Sequence, residues 1–145
     1  MIKIEYPAYN HKIKQEEGRD FIFDSFRKKW VVLTPEEWVR QNFLAFLVQV
    51  KNYAPSLIAV EKEIVLGELK KRFDIVVFDK QAAPFMLIEC KEMGVELTQQ
   101  VLDQALRYNI TMQVPYVVIT NGTSCMAFNC TSNQFSELKE FPSSL

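Results

Sequence analysis

The sequence predicts an α/β fold of the α+β kind, a mixed sheet with helices packed against it. Three observations carry that expectation. One helix start is strongly signalled near residue 35, three strand-like runs follow it, and a second helical pattern then leads into a near-continuous apolar run. With 145 residues, 48 % apolar and 24 % charged content, the chain reads as one soluble domain spanning residues 1–145. A strand-rich lead-in occupies residues 1–33, a core residues 34–128 and a C-terminal extension residues 129–145.

In the lead-in, Phe21-Ile22-Phe23 and Trp30-Val31-Val32-Leu33 pair as strands around an Arg27-Lys28-Lys29 turn. The helix start follows. Thr34 is a good N-cap, Pro35 suits the first helical position, and Glu37 completes a Thr-x-x-Glu capping box. Val39, Phe43, Phe46, Leu47 and Val50 recur at helical spacing, which predicts a helix over 35–51. Arg40, Gln41 and the basic runs Arg27-Lys28-Lys29 and Lys70-Lys71-Arg72 read as solvated surface, with phosphate contact the alternative for the second run, which lies next to Asp74. Strands are expected at 57–65, 73–78 and 85–91, joined by turns at Gly67-Glu68 and Lys80 to Ala83. A second helix is expected over about 97–112, with Thr98 as a cap and Val101, Leu102, Ala105, Leu106 and Ile110 as its apolar positions. Tyr116-Val117-Val118-Ile119 suits a strand covered on both faces, and Asn121-Gly122 turns it into a strand at Met126-Ala127-Phe128.

Composition removes several chemistries. The single histidine, His11, lies in a polar stretch, which argues against histidine-ligated zinc and histidine-based hydrolysis. Four glycines and no Gly-rich loop ahead of Lys-Ser/Thr argue against a P-loop. Three cysteines without paired spacing, and no apolar leader at the N-terminus, point to free thiols and a cytoplasmic protein. No apolar stretch approaches the roughly 20 residues of a membrane span. A net charge of −1 gives no global field toward nucleic acid, so a nucleic-acid surface would have to be local. Carboxylates and lysines are what remains for chemistry.

They converge in one hairpin. A four-residue loop at Lys80 to Ala83 sets Asp79 against Pro84, Phe78 against Phe85, Val76 against Leu87 and Asp74 against Glu89. Alternation puts Glu89 and Lys91 on one face and Cys90 on the other. Two carboxylates facing each other at about 5 Å repel unless a cation lies between them, and Mg²⁺ prefers such oxygen donors. Alternatives stand beside this reading. Asp74 serves equally as a polar residue opening a strand, Glu89 as the partner of Lys91 or Arg72 in a structural ion pair, Glu37 as a cap and Tyr108 as a boundary aromatic.

Arg72-Phe73-Asp74-Ile75-Val76-Val77 followed by Glu89-Cys90-Lys91 resembles the D…ExK signature of PD-(D/E)xK nucleases. The order helix, three strands, helix, strand (αβββαβ) is similar to their restriction-endonuclease-like core. Gln104-Ala105-Leu106-Arg107-Tyr108 is similar to the Q-x-x-x-Y helix of the RecB-like and type I restriction branches. Thr34 to Gln41 and Tyr116 to Gly122 look like the opening helix and closing strand of the N-terminal nuclease module of type I restriction enzyme R subunits. The likeness covers residues 34–128.

The resemblance implies a metal-dependent DNA endonuclease. In it Asp74 and Glu89 hold Mg²⁺ or Mn²⁺, Lys91 assists the water or the transition-state charge, and Glu37, with Glu36 second, is the acidic residue of the first helix. Gln104, Tyr108 and Arg72 then support the site and the DNA backbone. R subunits carry an ATP-driven motor after this module and the sequence shows none, which leaves three readings: a stand-alone relative, a component that needs a motor or specificity subunit in trans, or a retired copy. Relatives that pair two sites also suggest a homodimer. The alternative is a catalytically silent DNA- or protein-binding module on the same fold.

Overall fold

The molecule is described by a computed structural model covering residues 1–131 and 134–144; residues 132–133 and 145, all within the expected C-terminal extension, lie outside the described residues. Helix α1 runs Pro35–Gln49, and Thr34 Oγ1 accepts the Glu37 N–H at 3.0 Å. The capping box is only half formed. The Glu37 carboxylate turns away from Thr34 to Arg27, Arg40 and Gln41. Its apolar stripe faces the core as the spacing requires, with Val39, Phe43, Phe46 and Leu47 buried, while Val50 at the C-cap is exposed. Thr34→Ala is expected to cost about 1 kcal/mol, a melting-point loss of about 2–4 °C readable by calorimetry.

Strands β1 (Ile2–Lys3), β2 (Ile13–Glu16), β3 (Arg19–Asp24) and β4 (Lys29–Val32) precede α1; β5 (Ile58–Leu66), β6 (Leu69–Phe78) and β7 (Pro84–Cys90) follow it. Helices α2 (Gln99–Arg107) and α3 (Asn109–Met112) lead to β8 (Tyr116–Thr120), β9 (Ser124–Thr131) and β10 (Gln134–Glu137). The large sheet has the order β1-β9-β8-β7-β6-β5, with β10 also on β9. It is mixed, because β7 and β8 run parallel while the other pairs are antiparallel. A parallel pair needs a crossover, and α2 supplies it.

The two helical layers cover opposite faces. Phe43, Phe46 and Leu47 of α1 pack with Ile75, Val77, Met86, Ile88 and Val118. Leu102 and Leu106 of α2 pack with Val117, Ile119 and Phe128. Alternation along β8 explains the division, since Val118 points one way and its neighbours Val117 and Ile119 the other. No helix among the described residues is long and apolar enough to cross a membrane.

Several boundaries differ from expectation. The hairpin about Gly67, which takes φ +61, extends to Leu66 and begins again at Leu69 rather than Phe73. The added residues Lys70, Lys71 and Arg72 form a partly solvated strand end that carries no apolar alternation. The single helix expected over 97–112 is two. Tyr108 donates its N–H back to Leu106, and the buried Asn109 side chain brackets the Val114 backbone with bonds of 2.8 and 2.9 Å. The lead-in hairpin is present as β3–β4 and gains β2 as a third strand.

Candidate functional site

Register in the β6–β7 hairpin follows the sequence at its base and departs from it at its tip. Val76 pairs with Leu87 and Ile75 with Ile88, but Phe78 meets Pro84 rather than Phe85. Asp79 causes the difference. Its Oδ1 accepts from the Gln81 and Ala83 N–H groups, and its own N–H donates to Ala83 O, which closes the loop one residue early. Phe85 is left over as a bulge, so the expected pairs Phe78–Phe85 and Asp79–Pro84 are not formed. The shift ends before Val77, and Asp74 and Glu89 come next beyond the Ile75–Ile88 pair.

The ladder opens at that point. Between β5 and β6, Val60 pairs with Ile75 and Lys62 with Phe73, while the intervening Glu61 and Asp74 are skipped. Glu61 holds φ +54 inside a strand, a left-handed conformation costing a non-glycine residue about 1–3 kcal/mol. Asp74 uses both oxygens: Oδ2 accepts the Cys90 N–H at 2.8 Å and Oδ1 accepts from Arg40 at 2.6 Å.

Arg40 is the centre of an acidic cluster. Its Nη1 meets Glu37 at 2.6 Å, and its Nη2 meets Glu61 at 2.7 Å, Asp74 at 2.6 Å and, more loosely, Glu36 at 3.6 Å. Only 7 % of Arg40 is exposed. Burial by itself lowers its pKa, but Asp74, Glu37 and Glu61 more than offset that, and the guanidinium is held charged. Behind it, Arg27 bridges Asp24 and Glu37, the latter at 2.8 Å, and Gln41 donates to Glu37 at 3.1 Å. Arg40, Gln41 and Arg27 were expected on solvated surface. They are drawn inward because Glu37, Glu61, Asp24 and Asp74 converge there.

Glu89 lies on the other side of Asp74. Burial, then the charge of Asp74, push its pKa up to about 7. The Lys71 ammonium stands 3.2 Å from its Oε1, yet that buried oxygen has no aligned hydrogen-bond donor. Lys71 therefore takes the place expected of Lys91 or Arg72 as the ion-pair partner. Its ammonium also lies 5.1 Å from the Tyr108 ring centre and 5.4 Å from that of Phe73. Lys71, Glu89, Lys91, Gln104 and Tyr108 line one small cleft of about 50 Å³. Lys91 sits just past β7, its N–H on Thr120 O at 2.7 Å.

The structure thus gathers Glu37 and Asp74 around Arg40, and Glu89, Lys91, Gln104 and Tyr108 around the adjoining cleft. Arg72 is not among them; it is exposed and pairs across the ladder with Glu63. Sequence reasoning missed Glu61 and the role of Arg40, and it placed Lys71 only in a basic run beside Asp74, not as the partner of Glu89. For Lys71 a signal existed in its position next to the apolar run that begins at Phe73. Among the described residues, no three His, Cys, Asp or Glu side chains form a ready-made metal cage.

A family model described as the type I restriction enzyme R protein N terminus matches residues 35–142. Among curated proteins, none matches the chain. The matched segment begins with α1, holds Arg40, the four carboxylates around it and the residues of the cleft, and leaves out β1 to β4 with Asp24 and Arg27. It takes in well over half of the sequence, and the chain belongs to the family of type I restriction enzyme R protein N termini.

Proposed function

We propose that the chain is a PD-(D/E)xK endonuclease module that hydrolyses DNA phosphodiester bonds with the help of Mg²⁺ or Mn²⁺. The observation that carries this is the pair Asp74 and Glu89. Two carboxylates adjoin at the opened end of the central hairpin, and burial, then the charge of Asp74, raises the pKa of Glu89, whose buried Oε1 has the Lys71 ammonium 3.2 Å away but no aligned hydrogen bond. Such a pair fits a hard divalent cation, which removes the repulsion between the two. Asp74 and Glu89 would hold the ion, with Glu37 or Glu36 completing its shell through water. When bound, it supplies a polarised water and neutralises charge on the phosphate.

The remaining roles belong to the protein's own groups. Lys91 and Lys71 set two ammonium charges in the cleft beside Glu89, where a phosphate would be met by point charges rather than a planar fork. Gln104 and Tyr108, on the same helical side of the cleft, offer an amide and a phenol to phosphate oxygens. Asp74 is oriented by the Cys90 N–H on one oxygen, and a cation would have to share the other with Arg40 or displace it. Other subunits of a restriction assembly would supply motor and sequence recognition.

A second reading, a silent binding module, is favoured by Arg40, whose guanidinium already holds Asp74 Oδ1. Calorimetric titration of Mg²⁺ or Mn²⁺ into wild type, Asp74→Ala and Glu89→Ala, followed by plasmid cleavage with each, separates the two. Binding and cleavage lost together in both variants are expected. A wild type that binds no metal even with DNA present would establish the silent module.

A further inference from the structure

The second sheet, β2-β3-β4, lies outside the segment matched by the family and presents one face to solvent. Alternation sorts its residues. Ile22 and Asp24 of β3 are fully buried, so Phe21 and Phe23 between them point outward. Register then fixes their neighbours: Lys14 stands opposite Phe21, and Trp30 opposite Phe23. Each ring carries a cation. Lys14 Nζ lies 4.6 Å from the Trp30 ring centre and 5.9 Å from Phe21, Lys12 Nζ lies 5.8 Å from Phe23, and the Arg19 guanidinium lies 5.8 Å from Phe21. Trp30 is 38 % exposed, and Phe21 and Phe23 are half-buried. The chain as a whole carries −1, so this basic and aromatic face runs against its overall charge.

From this face we infer a binding platform for single-stranded nucleic acid. Phe21 and Phe23, two positions apart on one strand, are spaced about 6.4–6.8 Å, wide enough for two unstacked bases. Trp30 beside Phe23, ring centres 5.4 Å apart and planes at 73°, adds a third ring that stands edge-on to the second. Aromatic faces take any base, and Lys12, Lys14 and Arg19 supply the charge that follows a phosphate backbone. An acidic peptide would use the cations but leave three rings without flat partners. The one carboxylate paired on this face, Glu16 with Lys14 at 3.0 Å, is an exposed contact that a phosphate can replace. The platform is also fixed relative to the acidic cluster, since Asp24 on its inner face is tied through Arg27 to Glu37.

The test is fluorescence anisotropy with labelled dT15 and U15, in EDTA so that no metal chemistry intervenes, on the full chain, Trp30→Ala and Lys14→Gln. Both exposed-side variants are first checked for an unchanged melting temperature. Trp30→Ala is expected to weaken binding about 5- to 150-fold, the loss of one stacked base. Lys14→Gln is expected to lower the slope of log K against log salt by about 0.7, one phosphate contact on a single strand. The tighter of the two oligomers identifies DNA or RNA. If Trp30→Ala shifts the melting temperature, Trp30→Phe, which keeps a stacking ring, must bind within a few-fold of wild type. No binding by the wild type, or binding that neither variant changes, overturns the platform. So does competition by poly-glutamate as effective as that by unlabelled dT15.

Discussion

Arg40→Met is expected to cost about 3–5 kcal/mol, the loss seen when one partner of a buried ion cluster is removed. Methionine fills much of the same volume, so the change tests charge rather than packing. Three buried or half-buried carboxylates, Glu37, Glu61 and Asp74, lose a shared cation at once, and only Glu37 retains another, Arg27. For a chain of this length such a cost lowers the melting temperature by about 10 °C or more, readable by calorimetry in EDTA. Arg40→Lys should recover only part of it, because a single ammonium cannot span three acceptors as a planar fork does. The same variants bear on the metal. If a divalent cation shares this acidic cluster, Mn²⁺ should raise the melting temperature of Arg40→Met more than that of wild type, since a ligand of the native state stabilises it more the tighter it binds. An equal rise in both proteins would separate Arg40 from the metal position.

Glu89→Gln is expected to act in the opposite direction. Its folded pKa of about 7 lies above the ordinary value of 4.5, chiefly through burial and then through Asp74. Between those two values the native state holds a proton that the unfolded state has released. Stability therefore falls as pH rises through that window, and the full penalty is present above pH 7. Each unit of the rise corresponds to about 1.4 kcal/mol. Glutamine carries no charge to lose, so the variant should be more stable than wild type at pH 8, in EDTA, by several degrees. At pH 4 the two should melt together. Identical melting curves at pH 8 would show that Lys71 already neutralises Glu89 in the folded chain. A variant that is stabilised yet unable to bind metal is what a site built for function, at some cost in stability, should give.

Helix α1 was legible because its start is local chemistry, a threonine cap, a proline and an acidic first turn, and its stripe is a simple period. The base of the β6–β7 hairpin was legible for a related reason. Its apolar pairs admit one register, and the ladder ends at Ile75–Ile88, one step short of Asp74 and Glu89. The loop tip was not, because a single Asp79 side chain redirects three backbone groups. Arg40 was read as solvated because helical spacing places it beside polar neighbours. Its burial is decided by Glu61 and Asp74, which are 21 and 34 residues away. Strand β1 is likewise invisible locally: two residues, Ile2 and Lys3, become a strand only by pairing with Cys125 and Ser124. The family match begins after the lead-in, where the β3–β4 hairpin was legible from its apolar runs and β2 alone had to be found in the structure.

The left-handed backbone at Glu61 offers a record of selection. Glycine or asparagine would relax that position, so drift acting on stability alone should replace the glutamate readily. Across related sequences, position 61 is therefore a natural experiment. A persistent carboxylate there would mark an acidic group retained for what it does beside Asp74, whereas a scatter of Gly and Asn would mark a strand irregularity with no further purpose.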